Sequence, residues 1–125
     1  MLELEIVGPA PLPAAEIVRL ATLAAASAGI ADGHLAIEFV SAQRITELNR
    51  DHRAKDAPTD VLSFPVDGAK ANPPGPRELG DVVICPEHTE ELREAVVHGV
   101  LHLVGMDHEA DEGEMLVLQR ELLSW

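Results

Sequence analysis

The stretch His98-Gly99-Val100-Leu101-His102-Leu103-Val104-Gly105-Met106-Asp107-His108 is the one around which the chain is arranged. Residues four apart on an α-helix share a face, roughly 5–6 Å apart, so His98 and His102 can aim ring nitrogens at one point. Gly105 is the residue type that ends a helix in a left-handed turn, and a reversal through Met106 and Asp107 can bring His108 back to the pair. Val96, Val97, Val100, Leu101, Leu103 and Val104 make this helix apolar over most of its circumference, which predicts burial. Unpartnered imidazoles in such a helix cost free energy, and a metal ion removes that cost. A single histidine here would more simply be a core residue bonded to a backbone carbonyl. Three at this spacing, with the glycine where the turn needs it, point to a metal site with ligands His98, His102 and His108.

Three neutral imidazoles leave a fourth position open, as in catalytic rather than structural zinc, and water bound to such zinc reaches a pKa near ~7. Hydrolysis is the expected use. The spacing matches the metalloprotease pattern H-E-x-x-H-x-x-G-x-x-H at every position but one, since Gly99 stands where that pattern has its glutamate base. A peptidase of that kind would lose the group that takes the proton, so another residue serves or the chemistry differs.

A chain of 125 residues is expected to form one domain, 1–125, large enough to bury about two thirds of its unfolded surface. Cys85 is the one cysteine, so no intrachain disulfide can form. Met1-Leu2-Glu3-Leu4-Glu5 lacks the basic start and apolar run of a secretion signal, and no stretch approaches the ~20 apolar residues of a membrane span. A cytoplasmic protein with no membrane partner is expected. Nine basic against 22 acidic residues give a formal charge of -13, which disfavours a broad nonspecific grip on nucleic acid. Arg44, Arg50, Arg53 and Lys55 nevertheless concentrate positive charge in one short segment, and a divalent metal would add to it.

Leu2, Leu4 and Ile6 alternate with Glu3 and Glu5, predicting a half-buried strand that Pro9, Pro11 and Pro13 break. Ala14 to Ala28, with Ile17, Val18, Leu20 and Leu23 at helical spacing, predicts a helix that stops at Gly29. Leu35 to Val40 reads as a second strand, and Ser41 as the cap of a short helix through Arg44, Ile45, Leu48 and Asn49. That order suggests a βαβ unit. Asp60 to Phe64 and Leu79 to Cys85 predict two more strands, joined by a mobile connection over Val66 to Glu78. Thr89, with Glu90 and Glu91, is the expected start of the histidine helix, and Asp111 to Leu123 predicts a closing helix with Met115, Leu118, Leu122 and Leu123 on one side. The fold class is therefore α+β with an α/β-like start: a mixed, mostly parallel four-stranded sheet packed with about four helices, metalloprotease-like.

The run Leu48-Asn49-Arg50-Asp51-His52-Arg53-Ala54-Lys55-Asp56-Ala57-Pro58-Thr59-Asp60-Val61-Leu62-Ser63-Phe64-Pro65, then Gly80-Asp81, then His98-Gly99 through Asp107-His108, resembles the YbeY family of bacterial metal-dependent endoribonucleases. The resemblance implies one zinc ion held by the three histidines, cleavage of single-stranded RNA, maturation of precursor small-subunit ribosomal RNA and ribosome quality control, with the ribosome or its proteins as partner and no DNA. His98, His102 and His108 match the family's ligands, and Arg53 matches its functionally important arginine. Phosphodiester cleavage puts charge on nonbridging oxygens, which zinc and a nearby arginine can stabilise without a protease's glutamate. Arg50, Lys55, Asp60 and Ser63 are candidate substrate-binding positions. The plainer reading of Arg50 and Lys55 is solvated surface, and of Asp60 and Thr59 a pair that fixes the loop before the third strand.

Asp107 and Glu109 are candidates for proton transfer or for orienting a ligand. Cys85, at the end of an apolar strand, is expected to be a buried thiol. His34, His52 and His88 lack partners at ligand spacing and are expected at the surface. Two departures from the family stand out. Only twelve residues separate Cys85 from His98, which predicts one continuous helix and a trimmed cleft wall. Met106 replaces the usual tyrosine. With no tyrosine, two phenylalanines and one tryptophan, base stacking is thinly supplied, and grip on RNA is expected to depend on a partner. The competing readings are a metallopeptidase-like hydrolase and a noncatalytic zinc-containing ribosome-associated factor.

Overall fold

The computed structural model describes residues 2–67, 77–105 and 113–124. In chain order these form β1 (Leu2–Val7), α1 (Ala14–Ser27), β2 (Gly33–Phe39), α2 (Ala42–Arg53), β3 (Val61–Pro65), β4 (Glu78–Ile84), a 3₁₀ turn at Pro86–His88, α3 (Leu92–Leu103) and α4 (Glu114–Leu123). The strands make one four-stranded sheet ordered β1-β2-β4-β3. β1 with β2 and β2 with β4 are parallel, whereas β3 runs antiparallel to β4. The domain is α+β, as its order of elements predicts. Pro65 ends β3 at the sheet's edge, where a missing N–H breaks no ladder bond.

The pleat of β4 divides the core. Val82 and Ile84 join Leu35, Ile37 and Phe39 in a cluster with α1, α3 and α4, while Val83 and Cys85 join Leu62 and Ile45 of α2 in a smaller one. The sheet thus carries three helices on one face and α2 on the other. Cys85 is a buried free thiol, as expected from its strand end.

The ends of the helices follow local chemistry. α1 closes at Gly29 (φ +78), with Gly29 N–H donating to Ala26 O and Ile30 N–H to Ala25 O, the paired bonds of a Schellman closure. Ser41 caps α2 by accepting from Arg44 N–H. α2 runs on past Asn49 to Arg53, where Ala54 takes a left-handed conformation (φ 56), so Arg53 lies in the last helical turn. Thr89 does not start α3. Its hydroxyl donates to Cys85 O at 2.6 Å within the 3₁₀ turn, and Glu91 caps the helix by accepting from Arg93 N–H. The histidine helix is continuous from Leu92 but separated from β4 by that turn.

The connection expected over Val66 to Glu78 is ordered at its ends: Val66 N–H donates to Leu79 O and Asp67 N–H to Glu78 O, extending the β3–β4 ladder. Its middle, 68–76, lies outside the described residues, as do 106–112. Among the described residues no helix is long and apolar enough to cross a membrane.

Candidate metal centre

α3 is set against the sheet by Gly99. A Cβ there would collide with Val82 Cγ1 and lie 3.2 Å from Val61 Cγ2, so only glycine lets the helix approach this closely. Ser63 Oγ of β3 donates to Gly99 O at 3.0 Å and fixes the same contact. No glutamate side chain has room at position 99, so the base of the protease pattern is excluded by packing as well as by sequence. Gly105 ends the helical segment at φ +100, with its N–H donating to His102 O, as its place in the motif predicts.

His98 and His102 are half-buried, and their rings meet edge to face with centroids 4.7 Å apart. Their Nε2 atoms are 3.2 Å apart. Without a metal this is a hydrogen bond between the rings; two imidazole nitrogens at ~2.0–2.1 Å from one tetrahedral zinc ion lie roughly 3.3–3.4 Å apart, so the separation is also compatible with such an ion. The third predicted ligand, His108, lies outside the described residues, together with Asp107 and Glu109. Among the described residues alone, no group of three or more His, Cys, Asp or Glu side chains is placed to hold a metal.

Gln119 of α4 also belongs to the site, although histidine spacing does not point to it. It is only 6% exposed, and its Oε1 lies 2.8 Å from His98 Nδ1. The sequence does carry a signal for it, a glutamine between Met115 and Leu122 on the apolar face of the closing helix. Gln119 and His98 border a cavity of about 410 Å³ whose wall includes Asp60, Glu91, Glu94 and Leu116.

The other predicted positions separate. Arg53 is exposed in the last turn of α2, and Lys55 is exposed just beyond it. Arg50 Nε pairs with Asp51 at 3.3 Å on the surface. Asp60 Oδ1 accepts from Val61 N–H at 2.8 Å and from the Thr59 hydroxyl at 3.3 Å, while its carbonyl accepts from Cys85 N–H. The loop that leaves α2 at Arg53 therefore ends pinned at the cavity wall. Asn49 Nδ2 donates to Ala57 O at 2.9 Å and holds the middle of that loop.

The remaining histidines are less isolated than their spacing suggests. His34 Nδ1 donates to Glu78 Oε2 at 2.7 Å, and His52 meets Phe64 edge-on at 4.9 Å. His88 is exposed at the cavity. Away from the histidine pair, Glu16 accepts from Arg19 and, at 3.0 Å, from Arg93, tying α1 to α3. The Arg19 hydrogen bond is the largest cause holding the Glu16 carboxyl at about 2; desolvation opposes it, the Arg93 hydrogen bond adds to it, and Glu16 in turn raises the Arg19 pKa.

Fold and site together define a small α+β domain that carries a converging histidine pair on a buried helix. The family model described as endoribonuclease YbeY matches residues 14–125. The endoribonuclease YbeY of Stenotrophomonas maltophilia is 43% identical over 131 aligned positions, spanning 92% of this chain and 81% of that protein. That of Staphylococcus carnosus is 40% identical over 109, spanning 74% and 71%. The solution structure of TM1509 from Thermotoga maritima superposes with a TM-score of 0.58 at 27% identity, covering 97% of this chain and 87% of that one. The chain belongs to the endoribonuclease YbeY family.

Proposed function

We propose that this protein is a zinc-dependent endoribonuclease of the cytoplasm that cleaves single-stranded RNA, acting on precursor small-subunit ribosomal RNA in ribosome maturation and quality control. The observation that supports it most is the 3.2 Å separation of His98 Nε2 and His102 Nε2, the spacing of two ligands on one small cation. His98, His102 and His108 would hold the ion, and when bound it supplies Lewis acidity toward a phosphoryl group. Arg53 contributes a guanidinium whose fork matches two phosphate oxygens, at the start of the loop that ends at the cavity. The acidic wall of Asp60, Glu91 and Glu94 repels phosphate, so the RNA backbone is best accommodated toward the basic end of α2. With a net charge of -13, productive grip on RNA calls for a partner, and the ribosome is the one the family suggests.

A peptidase reading lacks the pattern's general base, since position 99 is glycine and a Cβ there would collide with Val82 Cγ1. The test is cleavage of a labelled single-stranded RNA by zinc-loaded protein freed of contaminating nuclease. Wild type is expected to cut and His102→Ala to fall to background while remaining folded by circular dichroism. Equal residual rates for the two would refute the reading.

A further inference from the structure

We infer that Gln119 is a positioning residue of the histidine centre: its side-chain carbonyl holds His98 as the Nδ1–H tautomer, so that the Nε2 lone pair stays aimed at the point that His102 Nε2 shares. This rests on the zinc reading above and adds to it the residue that prepares a ligand.

A buried amide on an apolar helix face costs free energy unless it is bonded, and Gln119 sits between Met115 and Leu122 with only 6% of its surface exposed. Its Oε1 lies 2.8 Å from His98 Nδ1. An amide oxygen has no proton to give, so the ring nitrogen donates, and in a neutral imidazole the other nitrogen is then bare. That bare nitrogen is the one lying 3.2 Å from His102 Nε2. The opposite tautomer would place a proton where a cation has to bind. Partners of this kind fix ring orientation, raise ligand basicity, and typically account for about 10- to 100-fold in metal affinity.

The experiment uses the full chain. Long-range ¹H–¹⁵N NMR of the metal-free protein reads the His98 tautomer, and competition with a chromophoric chelator reads zinc affinity. Wild type is expected to show Nδ1–H. Gln119→Met, similar in length but without an acceptor, is expected to show mixed tautomers and to bind zinc about 10- to 100-fold more weakly. Gln119→Glu, which keeps an acceptor, is expected to hold wild-type affinity. If the Met variant does not fold, Gln119→Asn, one methylene short of His98, replaces it with the same expectation. A wild-type Nε2–H tautomer, or unchanged zinc affinity in the variant lacking the contact, overturns the assignment. So does a loss of thermal stability with neither readout moved, which would make Gln119 a packing residue only. If wild type itself binds no zinc, the metal reading falls and takes this one with it, an outcome distinct from wild-type binding that the variant leaves unchanged.

Discussion

The two faces of the sheet are covered by unequal means. Three helices bury one, so that α3 is enclosed by α1, α4 and the strands and exposes mainly its histidine side. The other carries α2 alone, anchored by Ile45 and Asn49 with Ala42 and Leu48 packed beside them and polar on its outer side, with Arg50, His52 and Arg53 in its last turn. On the proposed function, the difference separates two physical tasks. Ligands of a small cation must be held to within fractions of an ångström, which a packed interior supplies. Capture of a flexible polyanion needs charge on long, solvated side chains, which a thinly covered helix supplies.

The largest effect that sharpens this contrast is expected at Ile45, which is fully buried on the thin face. Ile45→Ala should cost about 2–5 kcal/mol in denaturant unfolding yet leave zinc affinity of the folded protein unchanged. If zinc affinity falls too, the faces are coupled and the contrast breaks. Gly99→Ala on the thick face should cost about 1–3 kcal/mol by overpacking against Val82 and, unlike Ile45→Ala, also weaken zinc binding, because α3 has to lift off the sheet.

Arg53→Ala should lower RNA cleavage about 10-fold, the loss of a charge-assisted hydrogen bond, while zinc affinity stays fixed and stability moves by no more than about 1 kcal/mol. Arg53→Lys, keeping charge without the fork, should fall between. The smallest effect concerns the Glu16 clasp on Arg19 and Arg93. Its carboxyl titrates at about 2 in the folded protein against an ordinary 4.5, so its contribution is complete above 4.5 and is lost as pH falls toward 2. Thermal midpoints measured across that window should drop less steeply for Glu16→Gln than for wild type. The effect is small because these side chains remain partly in water.

Much of this was legible in the chain. Strand alternation in Leu2–Ile6, the alanine-rich α1 ending at Gly29, and the spacing of His98, His102 and Gly105 each follow from periodicities and backbone preferences that need no tertiary information. Element boundaries are where tertiary contacts override local preference. Helical propensity around Asn49 does not reveal that α2 continues to Arg53, because the stop is set by Ala54 adopting a left-handed turn and by Asn49 holding the next loop. Thr89 is a good cap by type, but Cys85 O competes for its hydroxyl.

By itself, then, the sequence determined which residues make helices and strands, which carry the histidines, and that no glutamate base stands between them, since all of these depend on neighbours a few positions away. Only the tertiary structure decided that Gly99 is demanded by Val82 and Val61, that Ser63 is bound to the histidine helix, and that Gln119 reaches His98. Those contacts join residues far apart in the chain, and their energies depend on packing geometry that local pattern does not encode.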